Sequence, residues 1–185
     1  THTHSSLAHI MDTNREPLSE QTCGLLSMER IHALADACEQ AVLQAQHTMQ
    51  ETSIRMAQTQ YAGLGSNRTS ADLSGDQQLV MMELIRADDT KLLIYSIGCH
   101  ATLMDQTNTL ISGDFPGCVN EQLKDRYAMV MFLNGPAGDM STRFVRKESS
   151  FTECNRLASN LIQAMDDAWE NQPSAPLSDV SIRQF

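Results

Sequence analysis

The strongest constraint on the fold is a pair of apolar, β-compatible runs, Leu79 to Arg86 and Lys91 to Ile97, separated only by Ala87-Asp88-Asp89-Thr90. Two such runs across so short a polar gap predict an antiparallel hairpin. The second run leads straight into Gly98-Cys99-His100, which puts a histidine at a strand end. Upstream, Ser27 is suited to cap a helix in which Ile31, Leu34, Cys38, Val42 and Leu43 keep helical spacing to about Gln50. Residues 7–26 mix Asp, Asn, Pro and Gly without a period and read as a long loop. Ser53 to Tyr61 reads as a strand with Ile54, Met56 and Gln58 on one side, and Gly63, Gly65, Ser66 and Asn67 then force a turn that leaves Arg68 in a loop.

Downstream, Pro116 suits the first turn of a helix carrying Val119, Leu123 and Tyr127. Ala128 to Leu133 reads as a buried strand that ends in Asn134-Gly135-Pro136-Ala137-Gly138-Asp139. A further helix from about Ser150 to Glu170 places Leu157, Leu161, Ile162 and Met165 on one face, followed by a Pro-containing linker and a strand near Val180 to Arg183. Helices alternate with strands, yet the clear strand pair is a hairpin. The expected class is therefore α/β, a mixed sheet covered by helices.

Composition bounds the function. A chain of 185 residues, 41% hydrophobic, supplies one ordinary core. Its net charge of −10, with basic residues scattered, excludes an electrostatic nucleic-acid footprint. The longest apolar runs, LVMMELI and AMVMFL, fall far short of the ~20 residues of a membrane span. The chain opens on Thr1-His2-Thr3-His4 without an initiating Met or leader, which reads as a cut end of a larger catalytic domain. Five cysteines without a CxxC pair fit neither a disulfide framework nor a cysteine zinc finger and read mostly as small core residues. The methionines at 81–82 and at 129 and 131 likewise read as core filler within strands.

His2 and His4 are separated by one residue, so an extended backbone points both imidazoles to one side, a geometry suited to a metal such as zinc. Two surface histidines near a chain end would give the same pattern. His100, at a strand's carboxyl end, stands where α/β folds gather functional residues, or is a core histidine donating to a backbone carbonyl; spacing alone leaves both open. Gly113-Asp114 and Gly138-Asp139 read as turns whose carboxylates cap backbone amides.

The order of the motifs adds a resemblance. Thr1-His2-Thr3-His4-Ser5, Asn67-Arg68, Gly98-Cys99-His100-Ala101-Thr102, Ser112-Gly113-Asp114-Phe115-Pro116-Gly117 and Asn134-Gly135-Pro136-Ala137-Gly138-Asp139-Met140-Ser141 occur in one succession. This succession resembles the amino-terminal domain of the neutral/alkaline non-lysosomal ceramidases. The resemblance implies that residues 1–185 are part of a single zinc hydrolase domain, with Zn2+ bound by His2, His100 and a Glu and a Tyr further along the polypeptide. It places His4 and Arg68 near the substrate and the attacking water, where either could meet the oxyanion of the tetrahedral intermediate.

The activity so implied is hydrolysis of the amide bond of an N-acyl lipid, ceramide to sphingosine and fatty acid, by a metal-activated water. The expected partner is a small lipid or amide molecule, with no nucleic acid, no membrane span but room for peripheral membrane contact, and a periplasmic or extracellular, secreted location. Ser141 matches a serine proposed as nucleophile in the family, but no base stands beside it in sequence and no G-x-S-x-G elbow is present, so water ranks above serine. Ser6, Leu7 and Thr142 depart from the family's usual Gly, Pro and Pro. The alternatives are a metal-dependent hydrolase of the same family with a non-ceramide substrate, a serine hydrolase using Ser141, and a scaffold that kept the fold without the activity.

Overall fold

The computed structural model describes residues 3–6 and 24–171. In chain order the elements are α1 (Met28–His47), β1 (Thr52–Gln60), β2 (Ser66–Asn67), β3 (Gln78–Arg86), β4 (Lys91–Ile97), α2 (Asp114–Leu123), β5 (Met129–Asn134), β6 (Met140–Ser141) and α3 (Phe151–Asn171). The described residues fall into two compact units: α1 belongs to one, and residues 3–5 with every element from β1 onward form the other.

In the first unit, the Ser27 side chain accepts a hydrogen bond from the Arg30 amide and starts α1 where the sequence places it. Its apolar positions Leu34, Val42 and Leu43 are exposed.

In the second unit the predicted hairpin forms. β3 and β4 pair antiparallel from Val80 opposite Ser96 to Ile85 opposite Lys91. The Asp89 amide bonds the Arg86 carbonyl, and Asp89 itself takes φ 65°, while the Asp88 carboxylate accepts from the Thr90 amide. Asp is among the few residues other than glycine that take this left-handed conformation readily, and the Asp88 bond closes the turn beside it. β1 adds antiparallel to β3 and β5 adds parallel to β4, giving the order β1-β3-β4-β5 and the mixed sheet expected from the sequence.

One face of that sheet is covered by helices. α2 packs on α3 and β5, and α3 reaches β1. Leu79, Met81, Leu93, Tyr95, Ile97 and Phe132 meet Phe115, Val119, Leu157, Leu161 and Met165 in a single core. α3 is capped at its start by the Ser150 hydroxyl, which accepts from the Glu153 amide at 3.1 Å.

Several sequence expectations are corrected here. β5 is an edge strand rather than a buried one, with Met129, Met131 and Leu133 exposed, so Met129 and Met131 do not fill the core as Met81 does. An apolar run reads alike on either face, and only the covering helices decide which side is buried. For the same reason Ile54, Met56 and Gln58 share a face as expected, but the buried position of β1 is Ala57 on the opposite face. Tyr127 lies beyond the end of α2 and turns its hydroxyl to Glu83 at 3.0 Å. Among the cysteines Cys99 and Cys154 are core, Cys118 is half-buried and Cys38 is exposed. Cys23, the strand near Val180 to Arg183 and most of the 7–26 loop lie outside the described residues. Among the described residues no helix is long and apolar enough to cross a membrane.

Candidate functional site

The carboxyl ends of β4 and β5 approach backbone to backbone. A Cβ at Gly98 would sit 2.6 Å from the Pro136 carbonyl oxygen, and one at Gly135 would sit 2.9 Å from the Gly98 nitrogen. Only glycine permits that approach, which gives the Gly98 and Gly135 of the two motifs a physical reason. Just beyond it, the His100 amide donates to the Met140 carbonyl at 2.9 Å, and His100 bridges to Ser141 in parallel register. β6, which carries Ser141, pairs in turn with β2, placing Ser66 opposite Ser141 and Asn67 opposite Met140. Three motifs distant in sequence are thus joined by backbone hydrogen bonds.

Arg68 is set by its neighbours in this small sheet. The Asn67 amide group donates to the Asp139 carboxylate and to the Ser74 carbonyl, both at 3.2 Å. Its carbonyl oxygen accepts from the Thr69 amide at 3.0 Å, and the Arg68 amide donates to the Asp139 carbonyl at 2.7 Å. Asn67 and Asp139 therefore shape the turn that projects Arg68 outward.

Asp114 does similar work behind His100. It is buried at φ 55°, an unfavourable value for a residue with a Cβ. One carboxylate oxygen accepts from the Leu103 and Met104 amides at 2.9 and 3.0 Å, and the other from the Phe115 amide at 2.7 Å. Those charge-assisted bonds hold the segment after His100 against the start of α2. The amino-terminal segment is stitched to the same place: the Thr3 hydroxyl donates to the Ser112 carbonyl at 2.7 Å, and the Ser112 amide to the Ser5 carbonyl at 2.8 Å. His4 is carried to within 5.8 Å of His100, ring centroid to ring centroid, at 65°.

His4, Arg68, His100 and Ser141 accordingly line one cleft of about 630 Å3. His2 lies outside the described residues. The same cleft is lined by Thr69, Thr102, Arg143 and Arg146, which sequence reasoning missed. Arg143 and Arg146 follow Ser141 closely in Ser-Thr-Arg-Phe-Val-Arg, but two arginines in a loop carry no period that would single them out.

The protonation geometry of His100 is defined by its partner. Nδ1 lies 2.6 Å from the Ala137 carbonyl oxygen, which can only accept, so Nδ1 carries the proton and the neutral ring keeps its lone pair on Nε2. A metal-ligating histidine is oriented in this way. Ser141 is different: its Oγ accepts from the Arg143 amide at 3.3 Å, and among the described residues no imidazole or carboxylate is hydrogen-bonded to it. The neighbouring Cys99 is no nucleophile, because burial, with Asp114 adding to it, pushes its thiol up to about 12.

No family model matches the chain, and no curated protein matches it. Solved structures do. The neutral ceramidase of Pseudomonas aeruginosa aligns with 78% of this chain at 18% identity and a TM-score of 0.62. A ceramidase complexed with C2 aligns with 69% of it, also at 18% identity, with a TM-score of 0.55. The chain has the fold of part of a neutral ceramidase. It spans 26% of the first of those chains and 23% of the second.

Within this neutral-ceramidase fold, the zinc implied by the sequence resemblance can be tested against the donors. His100 has the tautomer a metal ligand needs. Among the described residues, however, no group of three or more His, Cys, Asp or Glu side chains is placed to hold a metal. The described residues therefore make up no metal site by themselves, and a histidine held on a backbone carbonyl in this way is equally the core histidine that spacing alone left open.

Proposed function

We propose that this chain forms part of a single hydrolase domain that cleaves the amide bond of an N-acyl compound, with ceramide as the reference substrate and zinc as the cofactor. The observation that carries this reading is the convergence of His4, Arg68, His100 and Ser141 on one cleft of a ceramidase fold. In the reading, His2 and His100 are the zinc ligands this chain contributes, with a Glu and a Tyr from further along the polypeptide. When bound, zinc makes a water acidic enough to supply hydroxide near neutral pH and polarises the amide carbonyl.

The chain's own residues do the rest. The Ala137 carbonyl fixes the His100 ring, so no reorientation is needed to present Nε2. Arg68 meets the developing oxyanion: a guanidinium stays charged at any working pH, and the Asn67–Asp139 turn fixes the backbone from which it reaches into the cleft. His4 lies beside His100 and acts as a hydrogen-bond donor or proton carrier at the same carbonyl. Ser141 is a polar wall of the cleft rather than the nucleophile, since it lacks a hydrogen-bonded base. A periplasmic or extracellular, secreted enzyme that touches lipid only peripherally accords with this reading.

The test is elemental metal analysis of the full-length protein and of its His2→Ala and His100→Ala variants, alongside hydrolysis of a fluorescent ceramide. Near-stoichiometric zinc that is lost in both variants together with hydrolysis is the expected result. Zinc without ceramide turnover would retain the metallohydrolase and move the substrate elsewhere. Absence of metal, or activity that survives chelation, would overturn the reading.

A further inference from the structure

The cleft is unusual in what lines it. Three guanidiniums, Arg68, Arg143 and Arg146, stand with His4 and His100, and no carboxylate is among the described lining residues. The chain as a whole carries a net charge of −10, so this local gathering of positive charge runs against its composition. None of the three arginines takes part in the ion pairs found among the described residues, which use Arg55, Lys124, Arg126 and Arg156.

Two of the cleft arginines are oriented by carbonyls instead. Arg143 Nη1 donates to the Arg68 carbonyl at 3.3 Å, and Arg146 Nη1 donates to the carbonyls of Thr102 and Leu103, the latter at 3.2 Å. A carbonyl satisfies a donor without cancelling its charge. The acid that Arg146 does influence, Asp105, is exposed and has its carboxylate engaged by the Thr107 amide and hydroxyl. Converging like charges repel, and an arrangement of this kind is favourable when an anion enters.

We infer that the substrate carries an anionic group of the carboxylate class, so that the cleft takes an acidic N-acyl amide in preference to neutral ceramide. This rests on the amidase reading above and narrows its substrate. The hydroxyls of Thr69, Thr102 and Ser141 add donors for the same group, and about 630 Å3 accommodates a carboxylated head with the scissile amide beside it.

The experiment uses the full-length protein with N-lauroylglycine and its uncharged counterpart N-lauroylglycinamide, following laurate release, with fluorescent ceramide in parallel. The carboxylate is expected to be preferred by about tenfold or more in kcat/KM. Arg143→Glu, a change at an exposed residue, is expected to abolish the preference by raising KM with little change in kcat. Equal or better turnover of the glycinamide or of ceramide would overturn the anionic substrate while leaving the amidase intact. If no amide is cleaved, the amidase reading fails, and equilibrium binding decides the anion site: laurate bound more tightly than dodecanol, weakened by salt and by Arg143→Glu, upholds it, and equal binding of the two overturns it.

Discussion

Arginine is used in two opposite ways in this molecule. On the helix-covered face of the sheet, Arg55 stands opposite Glu83 in the β1–β3 register and pairs with its carboxylate. Tyr127 donates to the other oxygen of that carboxylate, and the Arg55 guanidinium lies 4.4 Å from the centroid of the Trp169 ring. Every charge in that cluster has a partner, and Glu83 is 1% exposed. In the cleft at the ends of β4 and β5, Arg68, Arg143 and Arg146 converge with carbonyls and hydroxyls but no carboxylate among the described lining residues. Residue type does not separate a structural charge from a binding charge. What separates them is whether the fold supplies the counterion.

The largest effect expected from this contrast is on the structural side. Arg55→Met leaves a buried carboxylate with Tyr127 as its remaining partner and should cost about 3 kcal/mol in urea unfolding, as for other broken buried pairs. The double variant Arg55→Met/Glu83→Leu should recover most of that loss, because it removes both charges. If the double variant is no better than the single one, the packing of Arg55 on Trp169 matters more than its charge. Burial pushes the Glu83 carboxyl up, but hydrogen bonds from Arg55 and Tyr127 outweigh it and leave the group below its usual 4.5. Its folded value being lowered, the contribution of this pair is present above that usual value and fades as pH falls through the folded one.

A second structural carboxylate sharpens the same point. Glu153 accepts from the Lys147 amide at 2.8 Å and from Arg156 through both oxygens, at 2.6 and 2.7 Å. These bonds, those from Arg156 first, hold its carboxyl at about 2 against the upward push of burial. A depressed folded value means stability that is complete above the ordinary 4.5 and lost as pH falls towards 2. Glu153→Gln should therefore be destabilising near neutral pH, by about 1 kcal/mol, the scale of a partly screened charge-assisted hydrogen bond. Its unfolding curve should converge with that of the wild type near the acid end, and a deficit independent of pH would show that shape rather than charge is responsible.

How much of this contrast the sequence discloses depends on range. The β3–β4 hairpin is legible because only Ala87-Asp88-Asp89-Thr90 separates its strands, and α3 because Leu157, Leu161 and Met165 repeat with the helical period. β5 is misread as buried because its apolar run looks the same at a sheet edge as at a centre, and Tyr127 is misplaced because the chain leaves the helix at Lys124. Arg68 and His100 are singled out by motif order, and Ala137 as the acceptor of His100 is not, since it depends on the Gly98–Gly135 approach. Arg143 and Arg146 are invisible for a related reason. Their meeting with Arg68 rests on the pairing of β2 with β6, strands of two residues each, too short to leave a pattern.

The smallest expected effect is the most discriminating one. Arg143 is exposed and gives up one 3.3 Å bond to the Arg68 carbonyl and a 5.3 Å contact with the exposed Phe144 ring when replaced, so Arg143→Gln should change unfolding stability by no more than about 0.5 kcal/mol. Any change should be towards greater stability, since a like charge leaves the neighbourhood of Arg68 and Arg146. Screening follows the same sign: added salt should stabilise the wild type slightly more than the variant, because only the wild type has the full repulsion to relieve. If Arg143→Gln instead costs as much as Arg55→Met, the cleft arginine is a structural residue with a counterion of its own. An excess of positive charge held ready for an anion then no longer describes this end of the sheet.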